Sequence, residues 1–368
     1  MTNLSVVYYP GPWFVGGAES YVLNIARALE AYGNVAIISS DIPEPTVLEK
    51  LRLPATFSPE WRLTPSCGQS AVRSLAHGAD VFVNCSPWDY PRPPKGATST
   101  FVGYYAPELR PISGPERVVR TAAASLFRSR RIWAAPLAAL RTYDNIFCVS
   151  EWTARLVLER WGEPAGVFYP AVRLIPELPK DRLILTVGRI GAGGTKKGHA
   201  DLIKAFSALE LPEWKLVIAG AANYESTMGI VKAWRSDFKD SNVEIVVDPT
   251  KDEIEALYGR ASIYWHGAGY GAEPNSVGRE HFGIAVVEAM SAGAVPLAFE
   301  GGGVREIVTS GVNGLLWSSL EDLIGATRRL AQNSEALERL RQGARVRAEF
   351  FGIQEHDSRA EAFLRPRS

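Results

Sequence analysis

Short runs of β-branched and aromatic residues alternate along this chain with longer stretches of helical period. The clearest helical stretch follows the first run, where apolar residues from Tyr21 to Leu29 recur at i, i+1, i+4, i+5 and i+8. Nearly continuous apolar strands that alternate with helices are typical of parallel sheets covered on both faces. Strands are predicted at Ser5–Tyr9, Val35–Ser39, Asp80–Asn84, Thr100–Gly103, Asn145–Val149, Leu183–Val187, Lys215–Ala219, Val243–Val247, Ser262–Trp265 and Val295–Ala298.

One stretch of the chain interrupts both the strand pattern and the helical pattern. Three prolines lie between Tyr169 and Asp181, and a strand and a glycine turn follow directly. A chain of 368 residues also suits two domains better than one core. We therefore predict an α/β protein with two Rossmann-like, doubly wound parallel-sheet domains that face a cleft, residues 1–170 and residues 171–352. Parallel sheets bind ligands outside the carboxyl ends of their strands, so the functional residues are expected there.

Charge and composition exclude several classes of partner. Forty Lys and Arg residues balance forty Asp and Glu residues, so no overall charge attracts the chain to nucleic acid, which is not predicted as a partner. The first ten residues lack the basic and apolar segments of a signal peptide, and no apolar run approaches the roughly 20 residues of a membrane span. Three scattered cysteines without metal-ligand or pairing spacing fit a reducing compartment. These features predict a cytoplasmic protein.

A local basic segment extends from Arg117 to Trp133 and combines five arginines with Phe127 and Ile132. Such a helix can lie on an anionic membrane surface, or it can be the solvated face of a helical hairpin. The first interpretation predicts a peripheral contact with the inner membrane face and a lipid-linked substrate. The sequence leaves both interpretations open.

The strongest chemical signal is Glu280-His-Phe-Gly-Ile-Ala-Val-Val-Glu288, in which two carboxylates stand eight positions apart around the start of an apolar helix. Gly283 allows close backbone approach, and a helix that begins there offers free N–H groups and a positive dipole end to an anion. Glu288 can accept hydrogen bonds from a diol such as ribose, and Glu280 can reach a sugar hydroxyl. By spacing alone, the block can also be an amphipathic helix with two surface glutamates.

Basic residues follow a predicted strand of the second domain. Gly188 and Arg189 come directly after the strand, and Lys197 comes after a glycine-rich loop. An arginine and a lysine at the carboxyl end of a strand suit a diphosphate, whose charge they neutralise without a metal. A solvated basic loop is the alternative.

Two glycine-rich segments point to the same cleft. Gly16 and Gly17 open the first helix with bare backbone N–H groups, although a plain tight turn has the same composition. The segment from Glu300 to Glu306 places three consecutive glycines at another strand end. We expect these segments and the two carboxylates to converge on one ligand.

In these segments the chain resembles the retaining nucleotide-sugar glycosyltransferases of group 1, also called family 4. The resemblance runs through GGAE near the start, GR and KKGHADLIKAF around residue 197, and EHFGIAVVEAMSAGAVPLAFEGGG near the end. SEWT, FYPAV and EHFGI are also similar to mannosyltransferases that build lipid-linked oligosaccharides from GDP-mannose. The resemblance implies the GT-B fold, with an N-terminal acceptor domain, a C-terminal donor domain and a C-terminal helix, residues 353–368, that packs back on the first domain.

The resemblance also implies a role for each matching residue. Arg189 and Lys197, together with Gly188, would hold the donor diphosphate, and Glu288 would bind the ribose. Glu280, Arg189 and Lys197 would carry catalysis. The sugar would be oriented by Glu280 with the backbone at His281, Phe282, Gly283 and Ile284, and Gly16 and Gly17 would approach the phosphate or the acceptor.

The chain departs from the family pattern in two places. Gly103-Tyr-Tyr-Ala-Pro107 stands where the related mannosyltransferases read His-Tyr-Pro, so Tyr104 or Tyr105 is expected in place of a histidine near the anomeric carbon. The loop from Gly191 to Thr195 is longer than usual and is expected to act as a flap. The remaining histidines have no ligand-like spacing and are predicted to have structural or surface roles; they are His77, His199, His266 and His356.

These features predict a retaining hexosyltransferase that moves a hexose from GDP-mannose or a UDP-sugar to a glycan or lipid-linked acceptor. Asp-x-Asp does not occur in the sequence, so no metal is predicted, and no cofactor is predicted beyond the nucleotide-sugar co-substrate. The alternatives are a non-catalytic nucleotide-sugar-binding partner subunit and a phosphorylase with a lysine-anchored pyridoxal phosphate. A dinucleotide-dependent oxidoreductase fits less well, because the spacing from Gly193 to Gly198 departs from a dinucleotide fingerprint.

Overall fold

The computed structural model describes residues 3–14, 16–51, 53–54, 56–64, 69–87, 89–103, 134–191, 197–222, 225–238, 242–276 and 278–365. The chain divides into two compact units. The first consists of Met1–Phe168 together with Asp357–Ser368, and the second consists of Tyr169–His356.

The first unit is organised around a parallel sheet. Its strands are β1 (Leu4–Tyr8), β2 (Asn34–Ser39), β3 (Glu60–Leu63), β4 (Val81–Asn84), β5 (Thr98–Gly103), β6 (Asn145–Cys148) and β7 (Gly166–Val167). They form one seven-stranded sheet in the order β3-β2-β1-β4-β5-β6-β7, and all neighbouring strands are parallel. β1, β2 and β4 are buried along nearly their whole length, which explains their almost unbroken apolar sequences.

The second unit contains a sheet of the same kind. Its strands are β8 (Asp181–Val187), β9 (Lys215–Gly220), β10 (Val243–Val247), β11 (Ala261–His266), β12 (Val295–Phe299) and β13 (Leu315–Trp317). They form a six-stranded parallel sheet in the order β10-β9-β8-β11-β12-β13. The core of this unit lies against β8, β9, β11 and β12, with Trp265 among its largest fully buried side chains.

Helices connect most of these strands, as parallel pairing requires. Those of the first unit are α1 (Gly17–Leu29), α2 (Pro45–Lys50), α3 (Gln69–Leu75), α4 (Ala134–Leu140) and α5 (Glu151–Trp161). Those that follow are α6 (His199–Ser207), α7 (Glu225–Asp237), α8 (Lys251–Arg260), α9 (Ile284–Ser291), α10 (Val304–Ile307), α11 (Leu320–Ala331), α12 (Ser334–Glu349) and α13 (Ile353–Arg359). Within the described ranges, none of the helices combines the length and the apolar character needed to cross a bilayer.

The predicted α/β class with two parallel sheets is confirmed, and every strand predicted from the sequence is present. The sequence pattern missed β3, β7 and β13. All three are outer strands of four residues or fewer and are only partly buried. An outer strand needs no continuous apolar run, so its sequence carries a weak signal.

Local side-chain chemistry sets the ends of several helices. Ser150 begins α5, since its Oγ accepts a hydrogen bond from the Thr153 N–H at 3.1 Å, and Gly162 ends the helix in the left-handed conformation with φ of 72°. α8 begins with a capping box in which Thr250 and Glu253 exchange hydrogen bonds. These caps need only residues that are close in sequence.

The last residues of the chain belong to the first unit. Arg27 on α1 forms a bidentate ion pair with Asp357, with Nη1 2.8 Å from Oδ2. The Phe363 ring lies 4.6 Å from that of Phe168 and 5.5 Å from that of Phe147. The end of the chain is therefore held to this unit by an ion pair and by aromatic packing.

Candidate active site

Lys197 and Glu280, two of the residues predicted to bind the donor, meet at the carboxyl edge of the second sheet. β8 and β11 are neighbours at the centre of this sheet, with Ile184 opposite Ile263 and Leu185 opposite Tyr264. The carboxyl ends of parallel neighbours lie at the same edge, so the segment after β8 approaches the segment after β11. Lys197 follows the first strand end and Glu280 follows the second.

Lys197 and Glu280 form a direct ion pair. Nζ of Lys197 lies 2.7 Å from Oε2 of Glu280, and the two side chains are only 23% and 16% exposed. Gly188 makes room for this pair, because a Cβ at that position would lie 2.9 Å from Cγ of Lys197. The glycine at the end of β8 therefore lets the lysine stem pass across the strand end.

A tight turn holds Lys197 in place. Gly198, the N-cap of α6, has φ of +72°, and a Cβ there would lie 2.7 Å from the carbonyl oxygen of Gly267. Gly267 directly follows the last residue of β11. Only a glycine fits this left-handed position against a backbone carbonyl, so the lysine turn and the end of β11 are packed together.

His266 is a third member of this cluster. It ends β11, is 6% exposed, and its Nε2 lies 3.5 Å from the Glu280 Oε2 that also contacts Lys197. Its Nδ1 is buried and has no hydrogen-bond partner in the described part of the chain. An unpaired acceptor is tolerated better than an unpaired N–H, so the arrangement favours the tautomer with the proton on Nε2, facing the carboxylate. Sequence spacing did not identify His266, although a polar residue at the carboxyl end of a buried strand was an available signal.

The environment keeps Glu280 ionised. Burial by itself would raise the pKa of this carboxyl, but the charge of Lys197 and the hydrogen bonds from His266 and Lys197 outweigh it and hold the pKa well below its usual range. A permanently ionised carboxylate accepts hydrogen bonds and does not donate protons. Glu280 is therefore suited to orienting hydroxyl groups rather than to acting as a general acid.

The three-glycine segment after β12 supports the backbone at Glu280. The N–H of Gly303 donates to the Glu280 carbonyl at 2.9 Å. A Cβ at Gly302 would overlap the carbonyl oxygen of Glu280, and a Cβ at Gly303 would overlap that of His281. The glycines therefore permit backbone-to-backbone packing. The three-glycine segment and the segment that begins at Glu280 are in direct contact.

The helix α9 begins at Ile284 with Gly283 as its N-cap, so it starts around Gly283 as predicted. This residue has φ of +120°, and no side chain caps the helix start, so its first amides are not satisfied by a capping side chain. His281 and Phe282 are buried, whereas Ile284 is half-buried. Burial is the main cause that lowers the pKa of His281 to about 4, so the ring is neutral at pH 7.

Glu288, in the middle of α9, is held from α8. The hydroxyl of Tyr258 donates to Oε2 of Glu288 at 2.9 Å. The Tyr264 ring lies 6.1 Å from that of Tyr258, and its hydroxyl donates to the carbonyl of Val187 at 3.3 Å. Burial, and then the charges of Glu288 and Glu280, raise the pKa of Tyr264. The two carboxylates and the end of β8 thus share one neighbourhood.

Arg189 stands apart from this cluster. It is exposed and lies two positions after the end of β8, and it forms no ion pair with any residue that the structure describes. The predicted flap lies mostly outside the described residues, because residues 192–196 are not among them. The predictions for Tyr104, Tyr105 and the basic segment from Arg117 to Trp133 also lie outside the described residues.

Gly16 and Gly17 lie in the first unit, where they are the N-cap and the first residue of α1. The carboxylate of Glu19 folds back to this helix start, with Oε2 2.7 Å from the place of a Cβ on Gly16. Glu19 is 8% exposed, and its Oε1 accepts a hydrogen bond from the Tyr9 hydroxyl at 3.2 Å. The carboxylate of Glu19 thus lies close to the positive end of this helix, which disfavours the binding of a second anion there.

No group of three or more His, Cys, Asp or Glu side chains within the described ranges is arranged to hold a metal ion. Metal independence remains a prediction.

Comparison with known proteins gives one family match. Residues 173–347 match the model of the family described as glycosyl transferases group 1. A curated relative from Mus musculus, GDP-Man:Man(3)GlcNAc(2)-PP-Dol alpha-1,2-mannosyltransferase, is 29% identical over 238 residues, which is 58% of this chain and 46% of the relative. The chain thus spans about half the length of the curated relatives it matches.

Solved structures resemble the chain over its whole length. The crystal structure of Anabaena HepE in complex with UDP-glucose has a TM-score of 0.72 at 14% identity and covers 99% of both chains. A glycosyltransferase from Rickettsia africae has a TM-score of 0.71 at 14% identity and covers 100% of both chains. These likenesses show the GT-B fold that the sequence predicted.

Proposed function

We propose that this chain, whose residues 173–347 match the model of the group 1 glycosyl transferases, transfers a hexose from a nucleoside-diphosphate sugar with retention of configuration. The acceptor is a glycan or a lipid-linked glycan, and no metal takes part. The observation that carries the proposal is the 2.7 Å contact between Lys197 and Glu280.

This contact fits the chemistry of a sugar nucleotide. The phosphate and the anomeric carbon of such a donor share one oxygen, so the groups that bind its diphosphate and its sugar must be immediate neighbours. Lys197 is the cation assigned to the diphosphate, and Glu280 is the carboxylate assigned to the sugar hydroxyls. Their direct contact supports both assignments together.

Departure of the nucleoside diphosphate requires that its developing charge be neutralised. Lys197, Arg189 and the first amides of α9 supply positive charge at the strand ends. Such preorganised electrostatic stabilisation is usually the largest single contribution to catalysis. These groups take the place that a divalent metal has in other transferases.

Retention follows from a reaction on one face of the sugar. The bond between the anomeric carbon and the phosphate oxygen breaks, and the acceptor oxygen bonds to the same face of that carbon. The departing phosphate takes the proton of the acceptor hydroxyl. Glu280 is paired with Lys197 and His266, so its role here is to orient the sugar rather than to attack it.

The curated relatives favour GDP-mannose as the donor. The name of the Mus musculus relative gives GDP-mannose as donor and a dolichol-linked oligosaccharide as acceptor. Anabaena HepE was crystallised with UDP-glucose, so the fold also accommodates a UDP-sugar. With a lipid-linked acceptor, the proposed reaction takes place at a membrane surface, and the sequence predicts the cytoplasmic side.

A panel of donors tests the proposal. Thermal unfolding in the presence of GDP, UDP and their hexose conjugates identifies the donor, since a ligand of the folded state raises the midpoint by mass action. Release of nucleoside diphosphate in the presence of a lipid-linked acceptor then measures transfer, and NMR of the product gives the anomeric configuration. Binding without transfer to any acceptor would instead support a non-catalytic partner subunit. Activity that is lost in chelator and restored only by a divalent ion would contradict the metal-free reaction.

A further inference from the structure

Tyr258 is a buried side chain whose hydroxyl bonds to a residue of the proposed donor site. It lies on the last turn of α8 and is 1% exposed. Its hydroxyl donates to Oε2 of Glu288 at 2.9 Å, whereas Glu288 itself is only half-buried. One end of this hydrogen bond is therefore in the core and the other faces the site.

The assigned role of its acceptor gives the Tyr258 hydrogen bond its importance. A buried tyrosine hydroxyl needs a partner, and most often a backbone carbonyl serves. Tyr143 and Tyr264 follow this rule, since their hydroxyls donate to the carbonyls of Pro91 and Val187. Tyr8 and Tyr9 donate to carboxylates that have no assigned role in donor binding. Tyr258 donates to the carboxylate assigned to the ribose, so its hydrogen bond acts on a proposed ligand-binding group.

That hydrogen bond restricts the carboxylate. A glutamate side chain rotates about three bonds, and a carboxylate that recognises two neighbouring hydroxyls must keep its plane fixed. The Tyr258 hydroxyl fixes the position of Oε2, and the buried ring, 6.1 Å from that of Tyr264, cannot follow a rotating partner. Each carboxylate oxygen has two lone pairs, so Oε2 can accept a ribose hydroxyl in addition to Tyr258.

We infer that Tyr258 is a positioning residue that makes the donor site selective for ribonucleoside over deoxyribonucleoside diphosphates, by orienting Glu288. The inference rests on the proposed function, because it takes Glu288 as the ribose-binding group. In this inference Tyr258 acts on the ligand through Glu288, to which its hydroxyl is bonded.

The experiment compares ribose with deoxyribose ligands in two proteins. Dissociation constants of GDP, 2′-deoxy-GDP and 3′-deoxy-GDP, and of the corresponding uridine nucleotides, are measured by calorimetry for the wild type and for Tyr258→Phe. The substitution removes one oxygen and keeps the ring. We expect Tyr258→Phe to weaken ribonucleotide binding by about fivefold to tenfold, the effect of one hydrogen bond, and to leave deoxyribonucleotide binding unchanged.

Tyr143→Phe is the matched control. Like Tyr258→Phe it removes the hydroxyl of a buried tyrosine, but the Tyr143 hydroxyl lies in the first unit and donates to a backbone carbonyl. It should leave the ratio of ribose to deoxyribose affinity unchanged. A double-mutant comparison adds a second measurement: in the Glu288→Gln background, Tyr258→Phe should no longer alter that ratio.

The outcomes separate the two hypotheses. If the wild type binds no nucleoside diphosphate, both the proposed function and this inference fail. If the wild type prefers ribose and Tyr258→Phe keeps the same preference, the inference is overturned while the proposed function stands. A loss of thermal stability with an unchanged ratio likewise means that Tyr258 is only structural.

Discussion

The ammonium of Lys197 and the carboxylate of Glu280 are 2.7 Å apart, although 83 positions separate the two residues in the sequence. The pair is partly buried, so water screens it less than an exposed surface pair. Under the proposed function, a donor diphosphate would compete with Glu280 for the same ammonium. Transfer of Lys197 to the phosphate then leaves His266 as the remaining described partner of Glu280 Oε2.

Replacement of Lys197 tests its role in leaving-group departure. We expect Lys197→Ala to lower kcat by roughly tenfold to a thousandfold, the range for removal of one group that stabilises the transition state. The measurement is the steady-state release of nucleoside diphosphate. Lys215→Ala is the matched control, since Lys215 also pairs with a glutamate, Glu244, but at the amino end of β9. Wild-type turnover in Lys197→Ala would contradict the assignment of Lys197 to the donor diphosphate.

Replacement of His266 tests whether it supports the charge of Glu280. His266→Leu removes the donor and should reduce kcat by about tenfold or more, because hydrogen bonds to charged groups contribute about 1.5–3 kcal/mol. His266→Gln places an amide N–H near the position of Nε2 and should restore most of that loss. His356→Leu, at a buried histidine on α13, serves as the control for the loss of a core imidazole. Equal activities of the leucine and glutamine variants would show that only packing matters.

Two glycines should respond differently to a methyl group. In Gly188→Ala the new Cβ meets the Lys197 stem, which is displaced, so activity should fall with a small change in stability. In Gly303→Ala the new Cβ meets the backbone carbonyl of His281, which cannot yield, and the free energy of unfolding should fall by about 1–3 kcal/mol. Gly229→Ala in α7 is the control, because a Cβ there meets no atom within 4 Å. Urea unfolding and turnover measured together separate the two effects.

Two buried histidines make stability depend on pH. Burial, with a further contribution from Lys197, lowers the pKa of His199 from 6.5 to about 4, and burial lowers that of His281 to the same value. Below pH 6.5 these two histidines are protonated in the unfolded chain but stay neutral in the folded chain. The free energy of unfolding therefore falls as the pH decreases from about 6.5 to about 4. Each histidine can lower the free energy of unfolding by at most about 3 kcal/mol.

Urea unfolding at several pH values checks this expectation. His199→Gln removes one of the two groups and should make the pH dependence shallower between pH 6.5 and pH 4. Glu280 affects stability in a lower pH range. Its pKa is lower in the folded chain than in the unfolded chain, so the ionised carboxylate stabilises the fold above pH 4.5, and this contribution is lost only as the pH falls further. An unchanged slope in His199→Gln would contradict a neutral buried His199.

The sequence by itself determined the parallel α/β class, the strands with continuous apolar runs, and the residue types of the site, because each depends on periodicity and spacing within a few residues. The glycine of α9 and the cation and carboxylate assigned to the donor were identifiable in the same way. Only the tertiary structure decided that Lys197 pairs with Glu280, that His266 joins them, and that Tyr258 holds Glu288. These contacts depend on β8 lying beside β11 and on α8 packing near α9. Local patterns specify what a segment forms but not which segment becomes its neighbour, so such partners emerge only when the sheet is assembled.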